Sequence, residues 1–276
     1  LLLFGPETTE FHGISGAADF PFSQIQGTAA EWGLAARWSL AKFDNTVAYL
    51  AKNRTGEVMV ARMNGYLPKR ISTDDMDAEI NSYSNTADAS GYSYMLGGHS
   101  MYVINFPGAE RTWLYDGSTG KWSSLKSNGL DRHRGEFMFP FLTNKILADY
   151  SNGRLYKLRA SALDDNGAQI ERVIVSETVA SPDLENFTVD CFRLDVEVGV
   201  GLTTGQGSNP QIGLEVSKDN GNTFGPQRWR TLGATGEYVT QVEWRRLGDA
   251  RNFVFRLTIS DPVQVTLISA CVNPDD

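Results

Sequence analysis

Few residues of this sequence have the types and spacing that catalysis requires. The most compact titratable group is residues 131–134, where His133 could act as a general base if partners from elsewhere in the chain reached it. The other interpretation, which we favour, is a solvated or interfacial basic loop containing Arg132, His133 and Arg134. Residues 13–16 lack the full G-x-S-x-G spacing of a nucleophile elbow. We therefore predict no catalytic residue and expect that the chain is not an enzyme.

A second group brings arginine and tryptophan together near the end of the chain. Its members are Arg228, Trp229, Arg245 and Arg246. Such side chains could stack on bases or sugars. We favour the alternative, in which the arginines pair with acids such as Glu243 and Asp249 or lie at a subunit contact, where Trp and Arg are enriched. The formal net charge of −8 also argues against high-affinity nucleic-acid binding, which needs concentrated Lys and Arg.

The most specific short pattern is S-x-D-x-G-x-T-F, an Asp-box at residues 217–224. A strand of alternating apolar residues runs into the box and must reverse there. Asp219 and Asn220 are predicted to accept hydrogen bonds from turn amides, and Gly221 to take a positive φ. Asp219 could instead be a catalytic acid or calcium ligand, but no second carboxylate lies near it in the sequence. The predicted structural hairpin residues are Ser217, Asp219, Gly221, Thr223 and Phe224.

A second predicted hairpin has the pattern Y-D-x-x-T-G-x-W, with aromatic residues on both sides of a polar turn. Its residues are Tyr115, Asp116, Thr119, Gly120 and Trp122. The Gly-Ser-Thr-Gly-Lys portion has some likeness to a phosphate-binding loop. However, it lacks the full G-x-x-x-x-G-K-[ST] spacing and precedes Trp122 rather than opening a helix. The hairpin is locally similar to a kelch-type blade.

The composition describes an ordinary globular protein of 276 residues with 41% hydrophobic residues. Cys191 and Cys271 are predicted to be buried free thiols, with a disulfide as the alternative, and with three scattered histidines they make no zinc pattern. We predict no cofactor, no metal and no membrane span. The opening run Leu-Leu-Leu-Phe-Gly-Pro is too short for a signal peptide. Without an initiator Met, we expect an N-terminally truncated soluble protein made in the cytosol.

Three corresponding stretches, 44–50, 99–105 and 144–149, start 55 and 45 residues apart, and each is predicted to begin a new cluster of strands. Clusters at that period are typical of β-propeller blades. One short helix is predicted near 74–83, where acidic residues occupy the first turn and apolar residues recur at helical spacing. After a loop at 161–169, strict alternation in 192–200, 253–259 and 263–267 favours an antiparallel sandwich. The predicted fold is therefore all-β, with propeller-like blades at 1–163 and a β-sandwich at 164–276.

Several short motifs are weak individually, but their order and spacing along the chain are more specific. They lie at 70–73, 92–94, 97–99, 106–107, 112–116, 119–122 and 149–156 and, around the Asp-box, at 228–229, 232–233, 236–238, 244–248, 254–256 and 260–263. In this order the chain resembles the packaged-DNA stabilisation proteins of short-tailed bacteriophages, a family also called tail hub or nozzle proteins. The resemblance covers residues 4 to 270.

The resemblance implies a structural virion protein made in the host cytoplasm and located in the tail. It implies a homo-hexameric ring that extends the portal channel, helps retain the packaged DNA without specific contacts, and binds the portal-adaptor, the tail needle and the tailspikes. An acidic surface around such a channel would repel phosphate. Family members are longer than 276 residues, so the propeller is expected to be incomplete.

Two alternatives to a tail hub remain. The first is a glycan-binding tail or adhesin module that uses Trp113, Trp122 or Trp229 as stacking platforms. The second is a sialidase-like propeller hydrolase, because Asp-boxes abound in such enzymes. A hydrolase of this kind usually has several boxes, whereas this sequence has one, and that box lies outside the predicted propeller.

Overall fold

A computed structural model describes residues 1–183 and 185–274, which form two compact units, Leu1–Ser161 and Ala162–Asp276. Both are built from antiparallel strands, and the α-helix among the described residues lies in the first unit. This confirms the prediction of an all-β fold with one short helix. Separate domains divided between residues 163 and 164 stay a prediction. Among the described residues, no helix is long and apolar enough to cross a membrane.

The first unit consists of four antiparallel sheets that follow one another along the chain. The first sheet contains β1 (Leu2–Phe4), β2 (Thr9–Ile14) and β3 (Phe22–Gln24); the second contains β4 (Gly33–Leu34), β5 (Ala41–Phe43), β6 (Thr46–Lys52), β7 (Val58–Asn64) and β8 (Leu67–Arg70); the third contains β9 (Ser90–Leu96), β10 (His99–Phe106), β11 (Arg111–Asp116) and β12 (Lys121–Ser124); and the fourth contains β13 (Gly135–Phe141), β14 (Asn144–Asp149) and β15 (Leu155–Leu158). Each sheet joins strands that are close in sequence, as propeller blades do.

Consecutive sheets of the first unit pack through separate apolar clusters. Tyr49 of β6 belongs to the cluster shared with β1 and β2, whereas Leu50 belongs to the cluster shared with β10. Tyr92 and Leu147 join the third sheet to the fourth. Because successive side chains of a strand point to opposite faces, β6 is buried on both sides and reads as a nearly continuous apolar run.

The helix α1 (Asp74–Ser82) follows β8 and buries Met76 and Ile80 against the second and third sheets. Thr73 is its N-cap, and the Thr73 hydroxyl accepts a hydrogen bond from the Met76 amide at 3.3 Å. Ser72, which precedes the cap, bonds the backbone of Val60 in β7. The predicted helix is thus confirmed, and the side chains on its buried face are the apolar ones.

The prediction that three stretches each begin a cluster is wrong, because β6, β10 and β14 are inner strands of their sheets. Each of these three strands follows a strand that the sequence pattern did not indicate. The residues that begin β9 are Ser-Gly, and β13 contains Pro140, and these residue types are uncommon in strands. Gly91 of β9 is required by packing, since a Cβ there would lie 2.5 Å from the Ser39 carbonyl oxygen.

The second unit begins with a small hairpin, β16 (Asp164–Asp165) and β17 (Ala168–Gln169), where a loop was predicted. Two sheets follow. Sheet A has the order β18-β24-β21-β22, with β19 paired to β24, and sheet B has the order β23-β20-β25. The strands are β18 (Arg172–Val175), β19 (Val179–Ala180), β20 (Phe187–Val196), β21 (Gln211–Ser217), β22 (Arg228–Thr231), β23 (Val242–Ala250), β24 (Asn252–Ile259) and β25 (Leu267–Val272).

The two sheets of the second unit share one apolar core. Trp244 and Phe253 are fully buried in it, and the rings of Phe192 and Phe255 stack at 4.5 Å. The alternating residues of β20 and β24 supply this core, as the sequence predicted. Residues 263–266 do not extend the last strand, because Pro262 precedes a turn in which the Val263 amide bonds the Asp261 carbonyl. Cys191 is buried and Cys271 is exposed, and both are free thiols, so burial was wrongly expected for Cys271.

Candidate functional site

The Asp-box connects β21 to β22, which pair in antiparallel register. The Asp219 carboxylate accepts bonds from the Thr223 amide at 2.8 Å and the Thr223 hydroxyl at 2.6 Å, and the Ser217 hydroxyl donates to it at 2.6 Å. Ser217 in turn accepts from the Gly221 amide at 2.8 Å, an acceptor role that sequence reasoning assigned to Asn220. Asn220 instead contributes left-handed backbone, with φ 59°, before Gly221 at φ 87°.

These hydrogen bonds decide the electrostatics of Asp219. Bonds from Ser217 and Thr223 lower the pKa of the Asp219 carboxyl to about 2, against a small opposing effect of burial. A carboxylate that remains ionised at neutral pH and has both oxygens bonded within the turn is a structural acceptor. It is not arranged to donate a proton.

Phe224 ends the box and contacts a charged group. The Arg256 guanidinium lies 3.9 Å from the centre of the Phe224 ring, and it binds both oxygens of Glu215 at 2.6 and 2.8 Å. The pKa of Arg256 is raised, first of all by its hydrogen bond with Glu215. Phe224 is therefore held by a cation–π contact with an arginine of β24, one of the inner strands of sheet A.

The second hairpin uses the same principle in the first unit. The Asp116 carboxylate accepts from the Ser118 amide at 2.8 Å and the Thr119 hydroxyl at 2.9 Å, and Gly120 has φ 70°. His99 also bonds this carboxylate, at 2.8 Å. Burial opposes ionisation of Asp116, but the hydrogen bonds from His99, Ser118 and Thr119 together outweigh it and lower the pKa. The acidic residue again holds a turn.

The aromatic residues of this region face the protein interior. Trp122 lies 5.0 Å from the Tyr115 ring and donates its indole N–H to the Ile71 carbonyl at 2.7 Å. Trp113 donates to the Tyr83 hydroxyl at 3.3 Å. Both indoles pack against the apolar cluster between the second and third sheets. The suggestion that Trp113 and Trp122 are glycan-stacking platforms is therefore wrong.

The interpretation of residues 131–134 as a solvated loop is also wrong, because Arg132 and Arg134 are buried. Arg132 bonds Glu136 at 2.5 Å and lies 3.8 Å over the Tyr150 ring. Arg134 lies 3.4 Å from the buried carboxylate of Asp149. Nearby acids and rings, contributed by β13, β14 and the turn after β14, draw the arginines inward.

Two further observations complete this region. The His133 Nδ1 atom accepts the Gly135 amide at 3.2 Å, so this nitrogen is engaged within the chain. Burial opposes ionisation of Asp149, but hydrogen bonds from Ser151 and the charge of Arg134 outweigh it and lower the pKa. The group is a structural ion-pair cluster, and an interface role for Arg132, His133 and Arg134 stays a prediction.

A buried polar network beside this cluster was not found by sequence reasoning. Asn105 of β10 donates to the Gly135 carbonyl at 3.1 Å and accepts the Thr112 hydroxyl at 2.7 Å. Ser90 of β9 donates to Glu136 at 2.7 Å. These bonds join the third sheet to the fourth. A polar residue inside the apolar run of β10 was the available signal, since a buried Asn needs partners.

The arginine and tryptophan group lies on β22 and β23. Arg230 donates to the Glu243 carbonyl at 2.8 Å, and the buried Trp244 donates its indole N–H to the Arg228 carbonyl at 2.8 Å. Arg245 pairs with the Glu243 carboxylate at 2.7 Å. Trp229 remains 41% exposed, and Arg246 is exposed with φ 60°. The group therefore combines structural bonds with an open aromatic and basic surface, and its role as an interface stays a prediction.

An exposed apolar face of the fourth sheet was not predicted. Phe137, Phe139 and Phe141 alternate along β13 and point to one side of the sheet, and Phe137 is in register with Ala148 and, through it, Leu155. All four large side chains are at least 41% exposed. Within the described residues, no three His, Cys, Asp or Glu side chains gather in a way that could hold a metal ion. An exposed apolar face of this kind is typical of a contact with another macromolecule.

Comparison with known proteins identifies the family to which both units belong. Two family models match the chain in order, the beta-propeller of bacteriophage P22 Gp10 over residues 1–162 and its beta-sandwich over residues 171–274. The chain belongs to the bacteriophage P22 Gp10 family. This membership confirms the resemblance seen in the sequence and the order of propeller before sandwich.

A curated relative is the tail hub protein gp10 of Salmonella phage P22, 24% identical over 285 residues. The match covers 98% of this chain and 57% of that protein, so the chain spans little more than half of the relative's length. A solved structure, a glycoside hydrolase family 43 arabinoxylan arabinofuranohydrolase from Bacillus subtilis with cellotetraose, aligns over 97% of this chain and 66% of its own at 8% identity. Its TM-score of 0.24 is too low to carry any argument.

Membership of the P22 Gp10 family decides between the functional classes considered from the sequence. The family is one of structural phage tail proteins and not of enzymes, which confirms the predictions of a virion protein and of a non-enzyme. The sialidase-like alternative is thereby overturned. The structural roles of Asp219 and Asp116 agree with this outcome, because each carboxylate is bonded within its own turn.

Proposed function

We propose that this chain forms part of a tail hub that extends the DNA channel below the portal, retains the packaged genome and binds neighbouring tail proteins. The observation that carries the proposal is the match of both family domains, in order, together with the similarity of 98% of the chain to the P22 tail hub protein. The proposed assembly is a homo-hexamer. Its neighbours would be the portal-adaptor, the tail needle and the tailspike.

The surface properties support an assembly role. The face formed by Phe137, Phe139, Phe141 and Leu155 exposes large apolar side chains in one place, which is typical of an interaction site. The formal charge of −8 suits a channel that DNA passes without adhering. Burial of Arg132 and Arg134 in ion pairs also removes two cations from the surface available to phosphate.

The proposal is tested with DNA-filled heads that lack this protein. Purified full-length protein is added, and the fraction of DNA that resists nuclease is measured. We expect wild-type protein to bind the heads and raise the protected fraction, and the core variant Trp244→Ala to do neither. Wild-type protein that neither binds nor protects would overturn the proposal. An image of the assembled tail with a strongly positive channel lining would overturn the repulsion argument alone.

A further inference from the structure

The sandwich unit has two unlike edges, and β22 and β23 form the closed one. Arg228 and Arg230 bridge from sheet A to backbone carbonyls of sheet B, and Trp244 donates back to the Arg228 carbonyl at 2.8 Å. Because Ile212 and Leu214 of the neighbouring strand point into the core, Gly213 and its register partner Trp229 face outward. The closed edge thus presents an aromatic side chain on an arginine-rich strand.

The opposite edge, between β18 and β25, is open. A groove of about 350 Å³ lies there, lined by side chains that include the core residues Phe192, Phe255 and Leu257 and the edge residues Ile174 and Ile268. Ile174 is 52% exposed and Ile268 is 65% exposed. No described strand joins the two sheets on this side. Apolar core surface therefore reaches solvent at this edge of the sandwich.

The strands that border the groove have free edges. β18 and β25 are the terminal strands of their sheets, so each has a row of backbone groups that no strand of the described sheets pairs. The pairing of β25 with β20 shifts register between Asp195 and Val196 of β20, which leaves Ile268 of β25 in a bulge beside the groove. Natural sheets usually protect such edges with charge or a covering segment. The exposed apolar run Val173, Ile174 and Val175 leaves the middle of β18 without a charged side chain.

The charges of the two edges are opposite. Residues 170–178, which include β18, contain two Glu and one Arg, and β25 contains no charged residue. Residues 228–251, which contribute β22 and β23, contain five Arg and three Asp and Glu. Glu171 and Glu177 directly flank β18 and are exposed, as are Arg245 and Arg246 at the other edge. The left-handed backbone of Arg246, φ 60°, belongs to a bulge that turns this side chain outward.

We propose that the open edge of one sandwich unit receives the closed edge of a second copy of this chain, with Trp229 as the apolar anchor in the groove. Arg245 and Arg246 then face the acidic flank of β18. Two different surfaces on opposite edges make a heterologous contact, which closes into a ring when the rotation between copies allows. The inference rests on the proposed ring-forming function and names the surfaces that would build it.

Sedimentation velocity over a range of protein concentrations tests the contact. We expect wild-type chain to associate, and Ile174→Asp in the groove and Trp229→Ala on the anchor each to weaken association about 30-fold or more, as for a central anchor. The matched control is Leu202→Asp, an equally drastic change at an exposed aliphatic residue of the same unit, on the loop between β20 and β21 and at neither edge. It should associate as wild type does. Circular dichroism verifies that each variant is folded.

Mixing the two variants gives a sharper result. One copy with an intact groove and one with an intact Trp229 retain a single contact, so the mixture should form dimers and no larger species.

If Ile174→Asp does not fold, the exposed charge reversals Glu177→Lys and Arg246→Glu replace it. Each reversal alone should weaken association, and both together in one chain should restore it. Salt should also weaken the wild-type contact.

The outcomes separate this inference from the proposed function. A monomeric wild-type chain at all concentrations, or association that neither edge variant changes, overturns the inference. If such protein still binds DNA-filled heads and protects their DNA, the tail hub function stands without this contact. If it associates through these edges but does not bind heads, the contact stands and the tail hub function fails.

Discussion

The two units bury different kinds of residue. The first unit encloses polar and charged side chains between its sheets, among them Asn105, Arg132, Arg134 and Asp149, whereas the second encloses a core of Trp244 and phenylalanines. Only Ser217 and Thr258 are buried polar residues among the described part of the second unit. Stability in the first unit therefore depends on hydrogen-bond geometry between sheets as well as on its apolar clusters. In the second it depends on filling the space between two sheets.

The turns, in contrast, are alike in the two units. In each, an aspartate at the end of a strand bonds a hydroxyl and an amide of its own turn, and a glycine with positive φ completes the reversal. Each turn is formed by neighbouring residues, so the same turn can occur in two different folds. The contacts between sheets involve residues far apart in the sequence and therefore differ between the two units. The following predictions test this contrast.

The largest effect is expected in the apolar core. Trp244→Ala removes a fully buried indole and leaves the Arg228 carbonyl without its donor, at a cost of about 3–5 kcal/mol. Urea unfolding with hydrogen exchange to locate the change measures it. The control, Trp38→Ala, changes a 59% exposed indole and should cost far less. If Trp244→Ala lowered hydrogen-exchange protection equally in both units, the units would unfold as one cooperative structure and the contrast between them would not hold.

A smaller effect is expected from the polar network. Asn105→Ala leaves the Gly135 carbonyl and the Thr112 hydroxyl without their partner, for about 2–3 kcal/mol of lost stability. The same unfolding measurement should place this loss in the first unit alone. Asn64→Ala, at an exposed asparagine, should stay within about 0.5 kcal/mol of wild type. An equally mild Asn105→Ala would mean that the network is dispensable.

The hairpins should respond equally in the two units. Gly221→Val and Gly120→Val place a β-branched residue at φ 87° and 70°, where no atom lies within 4 Å of the new Cβ, so the cost is backbone strain of about 1–2 kcal/mol in each. Thermal unfolding compares them. Gly221→Asn should recover much of the loss, because Asn tolerates left-handed backbone. Normal stability of Gly221→Val would show that the Asp-box turn does not contribute to stability.

The smallest effect concerns pH. The folded pKa of Asp219, about 2, lies below the ordinary value of about 3.9, so its contribution to stability is present above about pH 4 and is lost as pH falls towards 2. Carboxyl NMR titration should show this low pKa. Ser217→Ala removes the first of the stabilising bonds and should raise it. If wild-type Asp219 titrated near pH 4, the hydrogen bonds of the turn would not be lowering its pKa.

Prediction from the sequence worked best for features that depend on residues close together in the chain. The Asp-box, the Tyr115 to Trp122 hairpin and the helix near 74–83 are all defined by neighbours within ten residues. It failed for β9 and β13, whose Gly91 and Pro140 are tolerated because of contacts and edge positions formed by distant segments. It failed also for Arg132 and Arg134, because their acidic partners act through sheet packing.

The amino-acid sequence alone determined the all-β class, the turns and membership of a phage tail family, since alternation, turn residues and the order of motifs are properties of the chain itself. The three-dimensional structure was needed to show which arginines are buried, which strands are internal and which edge of the sandwich is open. These depend on residues far apart in sequence meeting across a sheet, and burial of a charge or an apolar edge is settled by those partners.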